Sequence, residues 1–563
     1  MTFWQIFVRL LPRRPLAALG GLWWHVTGKR VRARNRLRAA GARLPFAYRF
    51  WMEKIEPQRE NVESGQSALA RLTRRPKFAI LVYANRDSSE AATAQSLESV
   101  ERQIYPDRTV SVAAGTDLFA QAIADATGDF IVPLRSGDQL SPTALIRYAE
   151  AFEGNPAADV VFGDQDSIDA AGERSSPWFK PAWNRELFLA QDYLSDAAAV
   201  RAETARSAVE SRPLRDGALA YDLLLRVTRS ASAVLHAPCV TVHVRSDLRA
   251  EDQAARVDTI RVHLAGTGAE ASAGPFGTVK VAWPLLDDLP MVSVIVPTRD
   301  KVELLKPCVD TLLAKTSYAR VEVIVVDNGS TDDAALAYLE EIKSDARVRV
   351  LSYPGVYNFS AINNFAVKMS AGSYICFLNN DTQTVDGSWL TEMMRHAIRP
   401  EVAAVGAKLL YEDGTIQHAG VIVGIGDAAG HAHRNLPNSE AGYFAQVHAA
   451  QFVTAVTGAC LLVEKQKFDH VGGFDERDLA VAFNDIDLCL KLQRAGWRNV
   501  YVPHAVLIHH ESKSRGKDHS PGQIDRYSRE LKVFQERWGT ETFEDPLFNP
   551  NLERSSETFV IRL

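Results

Sequence analysis

The feature that most constrains the fold of this sequence is a strand–helix–strand pattern that occurs twice along its 563 residues. The clearer copy contains three short, β-branched runs that each lead into polar residues: 291–297, 321–327 and 374–378. Residues 301–314 between the first two runs show an amphipathic helical pattern. Strands that alternate with helices predict a parallel sheet covered by helices, and ligands of such sheets bind beyond the carboxyl ends of the strands. Here those ends carry Thr298, Asp327 and Asp381.

The other copy lies earlier in the chain and matches in three places. Residues 78–87, 128–134 and 221–229 repeat the patterns of residues 291–300, 372–378 and 486–494. The sequence therefore predicts an α/β protein with two tandem, Rossmann-like domains, each built on a mostly parallel sheet. We expect the domains to span residues 51–271 and 291–563, with a linker at 272–290, where Gly, Pro and Asp-Asp cluster.

Residues 1–50 form a basic, amphipathic arm whose charge differs from that of the rest of the chain. The arm contains eleven Lys and Arg residues and no acid, whereas the whole chain has a net charge of −5. Tryptophans lie among these arginines, a mixture that predicts a segment resting on an anionic membrane surface. The alternative is an arm that packs against the acidic body or a partner. No apolar run reaches the roughly 18 residues of a membrane span, and an acidic body does not indicate a nucleic-acid binder.

Seven motifs of the second copy follow one another in the order typical of one enzyme family. They are Val292–Asp300, Val325–Asp332, Phe377–Asp381, Thr457–Cys460, Gly472–Asp475, Phe483–Asp487 and His509–Ser512. In these motifs the chain resembles the inverting glycosyltransferase family 2. The resemblance implies the GT-A fold, a nucleoside-diphosphate-sugar donor and a divalent cation, Mg²⁺ or Mn²⁺. Two further segments, Phe46–Pro57 and Trp178–Trp183, are similar to bacterial O-antigen or capsular polysaccharide enzymes with two such domains in tandem.

The resemblance assigns a set of residues to the nucleotide sugar: Pro297, Thr298, Arg299, Asp327, Asn364, Asn379 and Asn380. Asp327 would accept a hydrogen bond from the pyrimidine ring. Its alternative role is to begin an Asx turn in the Asp-Asn-Gly-Ser segment. For Asn364 the alternative is a place near a helix start that Ser360 caps.

The metal is assigned to Asp381 and His509. Asn379 replaces the first acid of the family's Asp-x-Asp motif, so Asp381 is left as the metal-binding carboxylate. One carboxylate combined with diphosphate oxygens suits a hard ion such as Mg²⁺ or Mn²⁺. The adjacent His510 is the alternative ligand, and spacing within the motif slightly favours His509.

Asp485 is the candidate general base, since family enzymes carry a carboxylate at this position. A carboxylate that faces the anomeric carbon can deprotonate the incoming hydroxyl, which gives single displacement with inversion. The alternative for Asp485 is a helix cap. Gly458, Ala459 and Asn484 are assigned to the acceptor, and Gly458 and Ala459 could equally belong to a tightly packed strand.

The first copy lacks these groups at the matching positions. Gly115 stands in place of Asp327, Arg135 and Gly137 in place of Asn379 and Asp381, and Ala220 in place of Asp485. We therefore expect a degenerate glycosyltransferase domain that serves as a scaffold or as an acceptor-binding platform. Its one acidic pair, in the segment Gly163–Asp166, is predicted to lie in a solvated turn.

The function expected from these motifs is inverting, metal-dependent sugar transfer to a glycan in surface polysaccharide biosynthesis. The donor would be a UDP- or dTDP-sugar, and the acceptor a lipid-linked glycan or an oligosaccharide. The five scattered cysteines indicate reduced thiols, so we expect a cytoplasmic protein held peripherally at the inner face of the membrane. The alternatives are a bifunctional enzyme with two active domains and a non-catalytic assembly protein that binds nucleotide sugars or glycans.

Overall fold

The computed structural model describes residues 3–27, 33, 37, 40–41, 46–58, 60–84, 88–248, 252–510 and 521–563. Three groups of residues that the sequence analysis used lie outside these ranges: the basic residues between Lys29 and Arg38, the segment Asn85–Asp87, and Glu511 with Ser512.

The first domain is built on a mixed sheet that has eight strands within the described residues. The strands are β1 Phe78–Ala84, β2 Arg108–Ala114, β3 Phe130–Arg135, β4 Gln139–Leu140, β5 Val160–Ile168, β6 Arg174–Trp178, β7 Ala198–Arg201 and β8 Val234–Val244. Hydrogen bonds place them in the order β2-β1-β3-β7-β5-β8-β4, with β6 on β5. A separate hairpin follows, formed by β9 Glu270–Ala273 and β10 Val279–Ala282.

The second domain repeats this plan and adds strands at the edges. Its strands are β11 Val292–Thr298, β12 Val321–Asp327, β13 Val348–Ser352, β14 Tyr374–Leu378, β15 Thr382–Thr384, β16 Val402–Leu410, β17 Ile416–His418, β18 Val421–Val423, β19 Ala429–His431, β20 Gln451–Val453, β21 Cys460–Glu464 and β22 Arg498–His509. The order is β13-β12-β11-β14-β21-β16-β22-β15, so seven neighbouring strands match the first sheet one for one. The expectation of two tandem α/β domains is confirmed.

Helices flank both sheets. In the first part of the chain they are Phe3–Leu10, Pro15–Val26, Phe46–Lys54, Val62–Arg71, Glu90–Glu101, Thr116–Asp125, Ala144–Gly154, Arg185–Ala190, Ala202–Glu210, Leu219–Ser230 and Gln253–His263. In the second part they are Val302–Lys315, Asp333–Glu341, Phe359–Met369, Trp389–Ala397, Lys465–His470, Asn484–Arg494 and Pro521–Trp538. Short 3₁₀ turns lie at Glu56–Gln58, Ser246–Leu248, Pro275–Gly277, Ile342–Ser344, Ile425–Asp427 and Gln446–His448.

Strand β11 shows why the second sheet begins with an uninterrupted apolar run. Its side chains alternate between two cores, with Val294 packed in the core of Leu305 and Trp389, and Ile295 packed with Ile362 on the opposite face. Because helices cover both faces, every position of this strand is buried.

Each sheet is parallel in one half and mixed in the other. Strands β12, β11 and β14 run parallel, but β21 pairs antiparallel with β14, with Leu378 opposite Cys460. The amino end of β21 therefore lies beside the carboxyl end of β14, and the two strands run in opposite directions. The predicted parallel arrangement describes the half of each sheet that carries the candidate site.

Part of the predicted linker is integrated into the first domain. Residues 270–282 form the hairpin of β9 and β10, and Trp283 and Val279 lie in the hydrophobic core of the first domain. The glycines and proline of this segment therefore shape the turn of a hairpin, where they had suggested a flexible connection.

The two domains and the C-terminal tail share a buried interface. Arg399 donates to Glu186 at 2.7 Å, and Asn184 bonds the backbone of Phe452. A mixed hydrophobic cluster joins Trp51 of the N-terminal region, Phe179 of the first domain and Phe548 of the tail. The two segments singled out by resemblance, Phe46–Pro57 and Trp178–Trp183, thus meet at this interface.

The acidic segment Gly163–Asp166 is not a solvated turn, which corrects the prediction. It lies within β5, and the side chains of Asp164 and Asp166 are fully buried. His236 and Asn549 bond Asp164, and His243, together with Tyr48 and Arg174, bonds Asp166. Buried carboxylates require such partners, which are too distant in sequence to be recognised.

In the N-terminal arm, the helices Phe3–Leu10 and Pro15–Val26 bury Ile6, Leu10 and Ala18 against Leu37. A larger set of apolar side chains stays exposed: Trp4, Val8, Leu11, Leu16, Leu19, Trp23 and Val26. Among the described residues, no helix combines the length and apolar character needed to cross a membrane.

Candidate active site of the second domain

A cavity of about 380 Å³ opens at the carboxyl edge of the second sheet. The loops after β11 and β14, the start of the helix Phe359–Met369 and the helix Pro521–Trp538 surround it. Its lining consists of Pro297, Thr298, Arg299, Asp300, Lys301, Tyr357, Phe359, Asn379, Asn380, Gln523 and Arg526. Five of the seven residues predicted to hold the nucleotide sugar are among them.

The floor of the cavity is fixed by hydrogen bonds between the ends of neighbouring strands. Asn380 donates its side-chain amide to the Thr298 hydroxyl at 3.0 Å, and both side chains are buried. The backbone N–H of Asn379 donates to the carbonyl of Ala459 at 3.0 Å. These bonds tie the loops after β11 and β14 to the segment that precedes β21.

Asp327 ends β12 and begins the Asx turn that was the alternative reading of its motif. Its Oδ1 accepts hydrogen bonds from the Ser330 amide at 2.9 Å and the Ser330 hydroxyl at 2.6 Å. Ser330 also receives the backbone N–H of Asp300 at 2.7 Å, so the turn is joined to the cavity wall. Oδ2 of Asp327 accepts no hydrogen bond from the described residues, so the turn and a nucleotide contact are compatible.

Asp381 and His509 meet across the antiparallel pair of β15 and β22. Their side chains are buried, and His509 Nε2 lies 3.1 Å from Asp381 Oδ1. Asn379 Nδ2 lies 3.4 Å from the same ring nitrogen. The side chain of His510 contacts Glu412 instead. Of the two adjacent histidines, His509 is therefore the one that faces the Asp381 carboxylate.

This pair fits a divalent ion that takes few protein ligands. Asp381 would offer a carboxylate oxygen and His509 an imidazole nitrogen to such an ion. No cluster of three or more His, Cys, Asp or Glu side chains suited to a metal occurs in the described part of the chain. An ion here would therefore complete its coordination with substrate oxygens or water.

Asp485 lies in the first turn of the helix Asn484–Arg494. Its Oδ2 accepts the backbone N–H of Gly458 at 2.7 Å, and its Oδ1 accepts that of Ile486 at 2.9 Å. Burial raises the pKa of Asp485 above the ordinary value, although these amides stabilise the charged form. The side chain is half-buried, and a carboxylate held in this way by backbone amides is suited to accept a proton.

The residues assigned to the acceptor are all buried. A Cβ on Gly458 would lie 3.3 Å from the Cβ of Asp485, so a larger residue at position 458 would crowd Asp485. Ala459 is buried, and so is Asn484, whose side chain donates to the Val481 carbonyl at 3.2 Å. Ala459 and Asn484 therefore shape the surroundings of Asp485 and do not face open space.

Asn364, predicted to reach the nucleotide, is occupied elsewhere. Its amide accepts the N–H of Phe474 at 3.0 Å and donates to the Phe474 carbonyl at 2.9 Å, and it is absent from the cavity lining. The alternative for this segment, a helix start capped by Ser360, differs from the observed cap. Asn358 caps the helix through the Ala361 amide, while the Ser360 hydroxyl donates to the Leu479 carbonyl. The side-chain amide of Asn364 thus holds the tight turn at residues 472–476, through its oxygen and its nitrogen.

Comparison with known proteins identifies this domain. Residues 293–435, which carry β11 to β19, match the model for glycosyl transferase family 2. Over this segment, the second domain is similar to that family. Because the first sheet has the same order of seven strands, the chain carries two tandem GT-A-like domains.

The chain is also similar to longer bacterial proteins. It is 39% identical over 456 residues to the uncharacterized protein y4gI of Sinorhizobium fredii, which covers 78% of this chain and 50% of that protein. It is 36% identical over 549 residues to the O-antigen biosynthesis protein RfbC of Myxococcus xanthus, covering 90% and 42% respectively. The chain thus spans half or less of the length of these two relatives.

A shorter relative matches only part of this chain. The N-acetylglucosaminyl-diphospho-decaprenol L-rhamnosyltransferase of Mycobacterium tuberculosis is 28% identical over 256 residues, 42% of this chain and 80% of that protein.

Several residues of the family 2 site were not found from the sequence. Lys301, Gln523 and Arg526 line the cavity, and the last two come from a helix more than 130 residues beyond Asn380. On the same helix, Glu530 accepts the Ala482 amide at 2.6 Å and so supports the loop before Asp485. An amphipathic pattern in residues 521–538 was the available signal, but it does not indicate which face meets the site.

Strand register shows what the first domain has lost at the metal site. In the first sheet Phe78 pairs with Arg108 and Phe130, and in the second sheet Val292 pairs in the same way with Val321 and Tyr374. Phe130 therefore corresponds to Tyr374. Seven residues further along each strand and its loop, Gly137 corresponds to Asp381. The pairing of β4 with β8 places Val244 at the position of His509.

The same register locates the other two missing carboxylates. Ala84 pairs with Ala114 in the first sheet, just as Thr298 pairs with Asp327 in the second. Ala114 therefore stands in place of Asp327, one residue before the Gly115 that the sequence comparison predicted. The helix Leu219–Ser230 puts Ala220 where the second domain has Asp485.

Proposed function

We propose that the second domain transfers a sugar from a nucleoside-diphosphate sugar to a glycan acceptor with inversion, in the assembly of a bacterial surface polysaccharide of O-antigen or capsular type. The observation that carries this proposal is the meeting of three elements at one sheet edge: a cation-rich cavity, the Asp381–His509 pair and the Asp485 carboxylate. The names of two relatives, an O-antigen biosynthesis protein and a rhamnosyltransferase, support the polysaccharide context.

The cavity suits a nucleotide diphosphate. Arg299, Lys301 and Arg526 provide three positive charges on its lining against the single acid Asp300. Oδ2 of Asp327 would accept the ring N–H of uracil or thymine, so the donor would be a UDP- or dTDP-sugar. Guanidinium groups bind phosphate oxygens through paired hydrogen bonds, which fixes the diphosphate relative to the strand ends.

Asp381 and His509 would hold Mg²⁺ or Mn²⁺ beside this diphosphate. The ion, when bound, supplies positive charge that stabilises the departing nucleoside diphosphate. Asn379, within reach of the same histidine, would orient a ribose hydroxyl or a water molecule at this point.

Asp485 would remove the proton from the attacking acceptor hydroxyl. The Gly458 amide fixes the direction of its carboxylate, and Phe359, whose ring lies 3.7 Å from a Cβ built on Gly458, also lines the donor cavity. The base therefore adjoins the donor site. A carboxylate with a raised pKa is a stronger base than an ordinary one and takes up the proton more readily in the transition state.

The arm supports a peripheral position at the cytoplasmic face of the membrane and a lipid-linked acceptor. Leu16, Leu19, Trp23 and Val26 are exposed apolar side chains beside a strongly basic segment. Such a combination binds anionic bilayer surfaces through both burial and charge.

The experiment that tests the proposed function uses the full chain with Mn²⁺, a panel of UDP- and dTDP-sugars, and lipid extracts that contain undecaprenyl-linked glycans. We expect transfer from one donor, an inverted anomeric configuration in the product by NMR, and loss of transfer on addition of EDTA. Retention of configuration would contradict the proposed mechanism. Transfer that persists in the double variant Asp381→Ala, Asp485→Asn would indicate that the first domain is active as well.

A further inference from the structure

The first domain contains a cavity of about 440 Å³ at the carboxyl edge of its own sheet. Tyr83, Arg135, Ala220 and Val244 line it, and by strand and helix register these residues correspond to Pro297, Asn379, Asp485 and His509. The cavity therefore occupies the place of the donor and base site of the second domain. Its volume lies in the range of ligand sites, about 300–1,000 Å³.

The charges of this cavity do not favour a nucleotide diphosphate. Its lining carries three acids, Asp192, Asp196 and Asp252, against two cations, Arg135 and Arg256. Both residues of the metal pair are absent, since Gly137 and Val244 replace them. A diphosphate here would meet a lining with net negative charge and without the two metal-binding side chains of the second domain.

The lining holds a group of buried polar atoms that lack hydrogen-bond partners. Among the described residues, the unsatisfied atoms include Gln165 Oε1, Gln191 Oε1, Ser195 Oγ and Trp178 Nε1, all from side chains that line this cavity. An unsatisfied buried polar group costs about 1–3 kcal/mol, and native proteins contain only a few per 100 residues. Four such atoms around one cavity point to a ligand that both donates and accepts hydrogen bonds.

Aromatic side chains form another part of the lining. Trp178 and Phe444 stack with ring centroids 4.5 Å apart, and Tyr83, Tyr221 and Phe276 also contribute. A pyranose ring has an apolar C–H face and a rim of hydroxyls that each donate and accept. Aromatic surfaces match the face, and amide, hydroxyl and carboxylate oxygens match the rim.

We propose that this cavity binds one pyranose unit of an uncharged glycan. Phe444 and Ala441 from the second domain complete the lining, and Gln191 donates to the Phe444 carbonyl at 2.5 Å. The glycan is thus held where the two domains meet. Its identification with the acceptor of the transfer reaction rests on the proposed function, whereas the binding itself does not.

Saturation-transfer NMR with the full chain, in the absence of nucleotide and metal, tests this site. The probes are methyl glycosides of the common neutral hexoses, 6-deoxyhexoses and N-acetylhexosamines. We expect signals from at least one sugar with the wild type and with Asp381→Ala, and at least a fivefold loss of signal with Gln165→Leu and with Asp192→Asn. UDP binding with Mn²⁺ should show the opposite pattern, which also verifies that the variants are folded.

Three outcomes would overturn the inference. They are no signal from any sugar of the panel, wild-type signals from both Gln165→Leu and Asp192→Asn, and loss of the signals in Asp381→Ala, which would place the sugar in the second domain. Because these measurements involve no transfer, their failure is distinguishable from failure of the proposed function.

Discussion

Replacement of Asp485 by asparagine removes the candidate proton acceptor while it preserves the shape of the side chain. In the wild type, the two carboxylate oxygens accept the amides of Gly458 and Ile486. The asparagine oxygen can keep one of these bonds, so the loss to folding is about one hydrogen bond, 0.5–1.5 kcal/mol. Part of that loss is offset, because a carboxylate whose pKa is raised in the folded state is itself destabilising at neutral pH.

The expected effect on catalysis is much larger than the effect on folding. General base catalysis contributes about 10²–10⁴-fold, which corresponds to about 2.7–5.4 kcal/mol at 1.36 kcal/mol per factor of ten. We therefore expect kcat of Asp485→Asn to fall by at least 100-fold, while Kd for the donor nucleotide with Mn²⁺ changes less than threefold. Donor binding should be spared because the carboxylate of Asp485 bonds the amides of Gly458 and Ile486, neither of which lines the donor cavity.

The assay combines initial rates over a pH series with calorimetric measurement of nucleotide binding. Because the pKa of Asp485 is raised, wild-type activity should decline on acidification at a pH above the usual carboxyl range near 4, as the base becomes protonated. The residual activity of the variant should not show this decline at low pH. Activity of Asp485→Asn within threefold of the wild type, or the same decline at low pH as in the wild type, would refute the assignment of the base.

Three further predictions concern other parts of the structure. Asp381→Ala and His509→Ala should each weaken Mn²⁺-dependent UDP binding by at least about tenfold in calorimetry, whereas His510→Ala, whose side chain faces Glu412, should change it less than threefold. Asp487→Asn should lower the free energy of unfolding by about 1.5–3 kcal/mol in urea titration, because the buried carboxylate of Asp487 accepts hydrogen bonds from Arg537 and Trp538 and pairs with Lys491, while Arg537 keeps its bond to Asp475; a loss under 1 kcal/mol would contradict this role. Trp23→Ser should weaken binding to vesicles rich in anionic lipid by about tenfold in a sedimentation assay, since an exposed aromatic side chain loses its burial in the bilayer; unchanged binding would favour an arm that docks on protein.

The parts of the fold that sequence analysis predicted are those with local patterns. Strands β11 and β12 are mostly apolar because both faces of the sheet are covered, and the helix Val302–Lys315 follows from its amphipathic spacing. The repeat then predicted a second sheet of the same kind. The positions of Thr298 and Asp381 followed because the ends of adjacent strands meet at one edge.

The parts that were not predicted depend on contacts between distant segments. Asp164 was expected in solvent because its partners His236 and Asn549 lie 72 and 385 residues away. Arg526 reaches the cavity on a helix whose packing the local pattern does not specify. The choice between two adjacent histidines required the pairing of β15 with β22, which turns one side chain toward Asp381 and the next toward Glu412.

The central claim is that one of the two similar domains carries the nucleotide and metal chemistry. Isothermal titration of the full chain with UDP at saturating Mn²⁺ tests it most directly. The account predicts one site per chain, abolished by Asp381→Ala and unaffected by Asp192→Asn. A stoichiometry of two, or metal-dependent binding that survives Asp381→Ala, would contradict it.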